Sequence, residues 1–263
     1  MLISPKLARP TMHLISRLLN RFRPKLAQLN SAGCTDTGIV RQANEDSFAL
    51  DPALKIFLVS DGMGGHTGGA LASRLAISAA LTALTAKRIR KSRNNPVACR
   101  HLLSQAFRQA NDEVLHHAGK DANLSGMGCT MICALVSGEK AHLCHVGDVR
   151  GYLLRQGELQ QITSDHSLAA EDNSPGLPKN IVTRCIGVTM EQDPEYHVQE
   201  LAADDRLLLC SDGLWNMVSD EEITAALTQE SEPEPACARL IELANEAGGH
   251  DNITALVIQV SEI

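Results

Sequence analysis

Two hydrophobic rhythms alternate along this chain. In the first, short runs carry almost no polar residue: 56–59 (IFLV), 207–210 (LLLC) and 253–260 (ITALVIQV). Runs of this length and β-branched content read as strands buried on both faces. Residues 128–136 and 140–146 are apolar or alternating, and Ser137-Gly138-Glu139 between them is a hairpin signal. Residues 152–154 and 159–162 flank a turn at Gln156-Gly157. In the second rhythm, apolar residues recur at helical spacing. Residues 70–91 are rich in Ala and Leu and end in basic residues, as a helix C-terminus prefers. Residues 96–117 predict a further helix with proline at its start. Ser219 followed by Asp220, Glu221 and Glu222 opens another, and 235–247 a fourth. Residues 165–183 are polar and contain proline, the signature of a surface loop or flap. Strand blocks separated by helix pairs, without regular alternation, predict an α+β fold.

The chemistry gathers where apolar runs stop. The run 56–59 ends at Ser60-Asp61-Gly62, ahead of a glycine-rich loop whose backbone can come close to whatever Asp61 holds. A single Asp-Gly is an ordinary turn. The run 207–210 repeats the pattern with Ser211-Asp212-Gly213, and Asp251 stands directly before the run 253–260. Three aspartates at strand ends read as the rim of one site. Clustered carboxylates repel, so such a rim needs a cation. All-oxygen ligation suits Mg²⁺ or Mn²⁺ better than zinc. The glycine-rich loop lacks the Gly-Lys-Ser/Thr ending of a nucleotide-binding P-loop.

Composition narrows the picture. Aromatic residues make up 3% of the chain, so the core rests on Leu, Ile, Val and Ala. The net charge of −7 argues against nucleic-acid binding. Eight cysteines without a CxxC pair read as small buried hydrophobes in a reducing, cytoplasmic compartment. Cys144 to Arg150 does match the Cys-x₅-Arg spacing of thiol phosphatases, but Asp148 between them opposes anion binding there. No apolar run reaches the length of a membrane span. Residues 1–30 carry six basic residues and no acid, with Leu14, Ile15, Leu18, Leu19 and Phe22 on one helical face. They read as a basic amphipathic or disordered N-terminal extension, leaving 31–263 as one domain.

Eight motifs in order complete the pattern: RQANED at 41–46, SDGMGGH at 60–66, GMGCT at 126–130, HVGDVR at 145–150, DHS at 165–167, TRCIG at 183–187, LLLCSDGL at 207–214 and GGHDNITALVI at 248–258. Over about residues 33–260 the chain resembles the bacterial metal-dependent (PPM, type 2C) Ser/Thr protein phosphatases. The resemblance implies a central β-sandwich of two antiparallel sheets flanked by α-helices, in four layers αββα. It implies two Mn²⁺ or Mg²⁺ ions, with a third, weaker one in bacterial members. By position, Asp61 matches the carboxylate shared by both ions and Gly62 a backbone carbonyl ligand. Asp212 and Asp251 match ligands of the second ion. Glu45 matches a ligand acting through water, Asp148 a ligand of the third ion, and Arg41 the arginine that holds the substrate phosphate. Metal-activated water attacks phosphorus in such a centre, and no protein nucleophile is needed.

Three departures from the family pattern stand out. Val149 replaces the usual serine of GD-x-R. The stretch 165–183 is shorter than in many bacterial members. The eukaryotic proton donor corresponds to Met63, which leaves His66 and His166 as candidates. The resulting expectation is a monomeric phosphatase acting on phosphoserine and phosphothreonine of phosphorylated proteins, opposed to a cognate Ser/Thr kinase. The short flap is similar to that of phosphatases encoded with type VI secretion kinases. The alternatives are a non-catalytic phosphoprotein-binding module and a hydrolase of small phosphomonoesters.

Overall fold

Strands in this protein are apolar without alternation because both of their faces are covered. The computed structural model describes residues 27–64, 67–172, 181–189 and 193–262. The expected N-terminal extension lies, as far as residue 26, outside the described residues. The chain begins with β1 (Gln28–Asp36), β2 (Ser47–Asp51), β3 (Ile56–Ser60) and β4 (Gly62–Met63), followed by helices α1 (Thr67–Ala83), α2 (Ala86–Ser92) and α3 (Pro96–Ala118). Then come β5 (Gly128–Cys129), β6 (Met131–Ser137), β7 (Lys140–Val146), β8 (Arg150–Arg155), β9 (Glu158–Gln161) and the single turn α4 (Leu168–Glu171). The last part holds β10 (Glu195–Glu200), β11 (Arg206–Cys210), α5 (Asp212–Trp215), α6 (Asp220–Gln229), α7 (Pro233–Glu246) and β12 (Ile253–Glu262).

Ten of the strands form two antiparallel sheets, ordered β1-β12-β11-β8-β9 and β10-β7-β6-β3-β2, and β4 pairs with β5 in a two-stranded ribbon. Side chains alternate between two cores, as a period of two requires. Phe57, Val59, Ile132, Leu143, Leu207, Leu209, Leu256 and Ile258 meet between the sheets. Ile56, Leu58, Cys133, Leu135 and Cys144 point out of the second sheet against Ala76, Ala80, Leu103 and Phe107 of α1 and α3. Leu208, Cys210, Ala255 and Val257 point out of the first sheet against Ile223, Leu227, Ala236 and Leu240 of α6 and α7. The architecture is the expected four-layer αββα sandwich. Small residues on α1 let that helix lie close to the sheet, which makes up for the scarcity of aromatics.

Local chemistry sets several boundaries that periodicity missed. The helix expected over 70–91 is two helices, bent by 66° at Leu84 and Thr85. Thr85 takes an extended backbone and accepts the Arg88 N–H at its hydroxyl, capping α2. The strand expected over 128–136 is interrupted at Thr130, whose N–H donates to Asp61 O at 2.8 Å instead of continuing a ladder. Strands β1, β2 and β10 carried no clear sequence signal. Each lies at a sheet edge, where one side is wet and the pattern is mixed. Pro96 starts α3 as the sequence indicated, with Asn95 as its cap, and Ser219 and Glu222 close a capping box on α6. Among the described residues no single helix is long and apolar enough to cross a membrane.

Candidate active site

One end of the sandwich collects the loops that carry the acidic residues. Strands β3 and β11 end there, in Asp61 and Asp212, and β12 begins there, after Asp251. Glu45 and Asp46 precede β2, Arg41 lies between β1 and β2, and Asp148 sits between β7 and β8. The two sheets therefore contribute carboxylates from opposite sides of one opening. Arg41, Glu45, Asp61, Gly62, Asp148, Asp212 and Asp251 line a single cavity of about 350 Å³, together with Met63, Gly64, Thr130, Val182 and Asn252. All seven positions singled out by the sequence are brought together.

Backbone hydrogen bonds hold the carboxylates in place. The Asp61 N–H donates to Thr130 Oγ1 at 3.3 Å, and Ser60 Oγ donates to Thr130 O at 2.7 Å. Asn252 braces the loop between β1 and β2 at three points: its amide donates to Thr37 O and Ala43 O at 2.9 Å each, and its oxygen accepts from the Glu45 N–H at 2.8 Å. Glycine is required where the first loop folds back on Glu45. A Cβ on Gly69 would overlap Glu45 Oε2, and one on Gly62 would overlap Gly69 O. Arg41 Nη2 reaches Asp251 Oδ2 at 2.7 Å across the mouth, both side chains partly exposed.

The electrostatics of the cluster are those of a site built for cations. Burial raises the Asp61 carboxyl well above its ordinary range, and Asp46, Asp212, Asp148 and Asp251 add to the rise. Burial, then the charge of Asp212, pushes Asp148 up to about 7. Asp46 rises to about 7 through burial and the nearby Asp212 and Asp251, although hydroxyls of Thr254 and Ser211 pull it down. Asp212 is raised by burial and by Asp251. The buried Asp46 Oδ1 and Asp212 Oδ1 meet no side-chain or backbone N–H donor among the described residues. Ionised carboxylates packed this closely need positive charge between them, and an all-oxygen donor set fits a hard divalent ion. The residues present therefore fit Mn²⁺ or Mg²⁺.

Sequence reasoning had not assigned a site role to Asp46. Its signal was the acidic pair Glu45-Asp46 just ahead of a strand. Only the packing reveals that Asp46, from the β2 side, is bonded to Ser211 and Thr254 of the other sheet. The two histidine candidates part company: His66 lies outside the described residues, and His166 is buried with both ring nitrogens engaged away from the cavity. The thiol alternative fails on geometry. Cys144 is fully buried against the helix layer, burial pushes its thiol far up, and Arg150 is committed to Asp165 in a two-pronged ion pair at 2.9 and 2.6 Å.

Comparison with known proteins agrees with this geometry. The family model described as "Protein phosphatase 2C" matches residues 36–252. The serine/threonine protein phosphatase PstP of Mycobacterium tuberculosis is 38% identical over 242 residues, covering 88% of this chain and 45% of PstP. The chain thus spans about half the length of that curated relative. The structure of the PstP catalytic domain in complex with two manganese ions superposes with a TM-score of 0.78 at 36% identity, covering 89% of this chain and 99% of that one. PppA, a key regulatory component of T6SS in Pseudomonas aeruginosa, superposes with a TM-score of 0.80 at 32% identity, covering 89% of this chain and 99% of that one.

Proposed function

Because this chain belongs to the protein phosphatase 2C family, we propose that it is a Ser/Thr protein phosphatase that hydrolyses phosphoserine and phosphothreonine at a two-metal centre. The observation that carries this reading is the convergence of Asp61, Asp212, Asp251, Asp148, Glu45 and Arg41, from both sheets, on one cavity in which Asp61 and Asp148 are raised by burial first and by neighbouring carboxylates second.

Asp61 would be the carboxylate shared by two ions, with the Gly62 carbonyl beside it on one and Asp212 and Asp251 on the other. Glu45 would act through water, and Asp148 would hold a third, weaker ion. Bound Mn²⁺ or Mg²⁺ supplies the charge that activates a water near neutral pH and offsets charge on the phosphoryl oxygens. Arg41 binds the substrate phosphate. Its fork, which grips the Asp251 carboxylate at 2.7 Å, suits a phosphate oxygen equally well. Thr130 and Asn252 keep the carboxylates from spreading apart before ions and substrate arrive. With water as the nucleophile no protein nucleophile is required, and hydrolysis is direct.

The eight free cysteines fit a reducing cytoplasm. A cognate Ser/Thr kinase and a monomeric state complete the proposal, and the likeness to PppA favours a link to type VI secretion. Hydrolysis of a phosphothreonine peptide tests the core of it. Activity lost to EDTA, restored by Mn²⁺ and indifferent to thiol alkylation is the expected result. No hydrolysis under any condition, with phosphopeptide binding retained, would make the protein a binding module. Rates far higher on a small phosphomonoester than on any peptide would move the substrate class.

A further inference from the structure

Behind the Asp148 loop lies a second cluster of titratable side chains that plays no part in the mechanism above. His145 ends β7 and stacks on His166 with ring centroids 4.6 Å apart, and His197 stands 5.8 Å from His145 on the other side. Glu195, the β10 partner of His145 in register, lies 2.9 Å from His166 Nε2 with one oxygen and 2.9 Å from His197 Nε2 with the other. Ligand atoms of His145, His166 and Glu195 fall within 4.8 Å of one another, a spacing that suits a transition metal. The tautomers oppose that use. A neutral imidazole has one N–H and one lone pair. His166 Nδ1 faces the backbone N–H of Gly147 at 3.1 Å, so Nδ1 carries the lone pair and Nε2 carries the proton that Glu195 accepts. A metal at Nε2 would cost the Gly147 bond. His145 Nε2 donates to Ser164 O at 2.9 Å, which leaves its Nδ1 lone pair without a hydrogen-bond partner among the described residues, so it is the His166 bond to Gly147 that stands against a metal.

We infer that His166, oriented by Glu195, is a positioning residue that holds the Gly147–Asp148 loop so that the Asp148 carboxylate stays in the cavity. The inference rests on the reading of Asp148 as a cation ligand. Gly147 is bracketed by His166, donating to its Nδ1 and accepting the His166 backbone N–H at 3.0 Å. Its φ of +96° and its approach to Thr130, whose side chain a Cβ would overlap, leave the loop one conformation. On the far side of Asp148, the Trp215 indole N–H donates to Asp148 O at 3.0 Å. Burial keeps the His166 ring neutral although Glu195 pulls the other way, which preserves the acceptor at Nδ1. Glu195 reinforces the tautomer that the Gly147 N–H already favours, by accepting the proton at Nε2.

Four variants test this. Asparagine at 166 puts an oxygen near the Nδ1 position, and glutamine at 195 keeps an acceptor for Nε2–H. The chain has one tryptophan, Trp215, and it touches the Asp148 backbone, so its emission reports the loop without any metal. In metal-free protein, His166→Ala should shift that emission to the red, and His166→Asn should restore it. Long-range ¹H–¹⁵N spectra should give the Nε2–H tautomer for His166 in the parent and in Glu195→Gln, and a mixture in Glu195→Ala. Mn²⁺ titration followed by electron paramagnetic resonance of the free ion should find the weakest class of sites about 10- to 100-fold weaker in His166→Ala, with Asn recovering most of the loss. An Nδ1–H tautomer in the parent, unchanged emission in His166→Ala, or stoichiometric zinc that is lost on His145→Ala would each overturn the inference. If His166→Ala does not fold, the parent tautomer and the Asn variant decide it. Failure of the parent to bind any Mn²⁺ would sink the phosphatase reading, while emission and tautomer would still judge the tether.

Discussion

Ser-Asp-Gly occurs twice at the rim of the site, and the two copies use the same three residues differently. After β3, Ser60 donates to a backbone carbonyl, that of Thr130, and Asp61 faces Asp46, Asp212, Asp148 and Asp251. After β11, Ser211 donates to the Asp46 carboxylate at 2.7 Å, and Asp212 opens the turn α5, eased by the Gly213 N–H and by Arg41. The tripeptide fixes where a carboxylate leaves a buried strand. The charge that carboxylate can carry depends on what the other sheet places against it. In the proposed two-metal centre the crowded copy, Asp61, would gain most from the positive charge, which supports its proposed role as the shared ligand.

The largest expected effect separates the two copies directly. Asp61→Asn should lower phosphopeptide hydrolysis by roughly 10³-fold or more, and Asp212→Asn by a clearly smaller factor, since one removes a charge shared by two ions and the other a charge serving one. Steady-state rates at saturating Mn²⁺ measure both, and equal losses would erase the distinction. Next in size is Arg41→Ala, expected to raise KM about 10- to 100-fold through loss of a charge-assisted bond to phosphate, with Mn²⁺ affinity nearly kept. Unchanged kinetics across substrate concentrations would remove Arg41 from phosphate binding.

A smaller effect concerns the crowding itself. Asp148 sits at about 7 in the fold, above its unfolded value. Between about pH 4 and pH 7 the unfolded chain has therefore lost a proton that the fold keeps, so stability falls as pH rises through that window. Metal-free Asp148→Asn should gain stability over the parent by roughly 2–4 kcal/mol at pH 8 and little at pH 4. Urea denaturation at the two pH values gives the difference, and Mn²⁺ should reverse its sign at pH 8. Taking the variant minus the parent cancels the buried histidines, which act the other way. The smallest effect compares the serines. Ser60→Ala should cost about 1 kcal/mol at any pH, and Ser211→Ala about 1.5–3 kcal/mol at pH 8, where Asp46 is ionised.

Much of this was legible in the residues. Apolar runs ending in Ser-Asp-Gly marked β3 and β11 because strands buried on both faces leave no room for polar residues. Pro96 placed the start of α3 and the capping residue Ser219 that of α6, since both act within one turn. Edge strands β1, β2 and β10 were not legible, because a half-wet strand needs its neighbour to define it. The break at Thr85 was missed because Leu81 and Leu84 before it and Ala86 and Ile89 after it keep a helical rhythm. Asp46 escaped notice because its partners, Ser211 and Thr254, lie 165 and 208 residues away.

The sequence by itself determined which residues could be ligands and that they would stand at strand ends, because both follow from side-chain chemistry and from period-two burial. Tertiary structure decided the rest. It brought the ends of two sheets to one cavity, set Arg41 across from Asp251, and turned His166 from a candidate proton donor into a tether for the Asp148 loop. Those outcomes depend on distances between residues far apart in the chain, and on which lone pair a buried ring has left to offer, and neither is written in any local stretch.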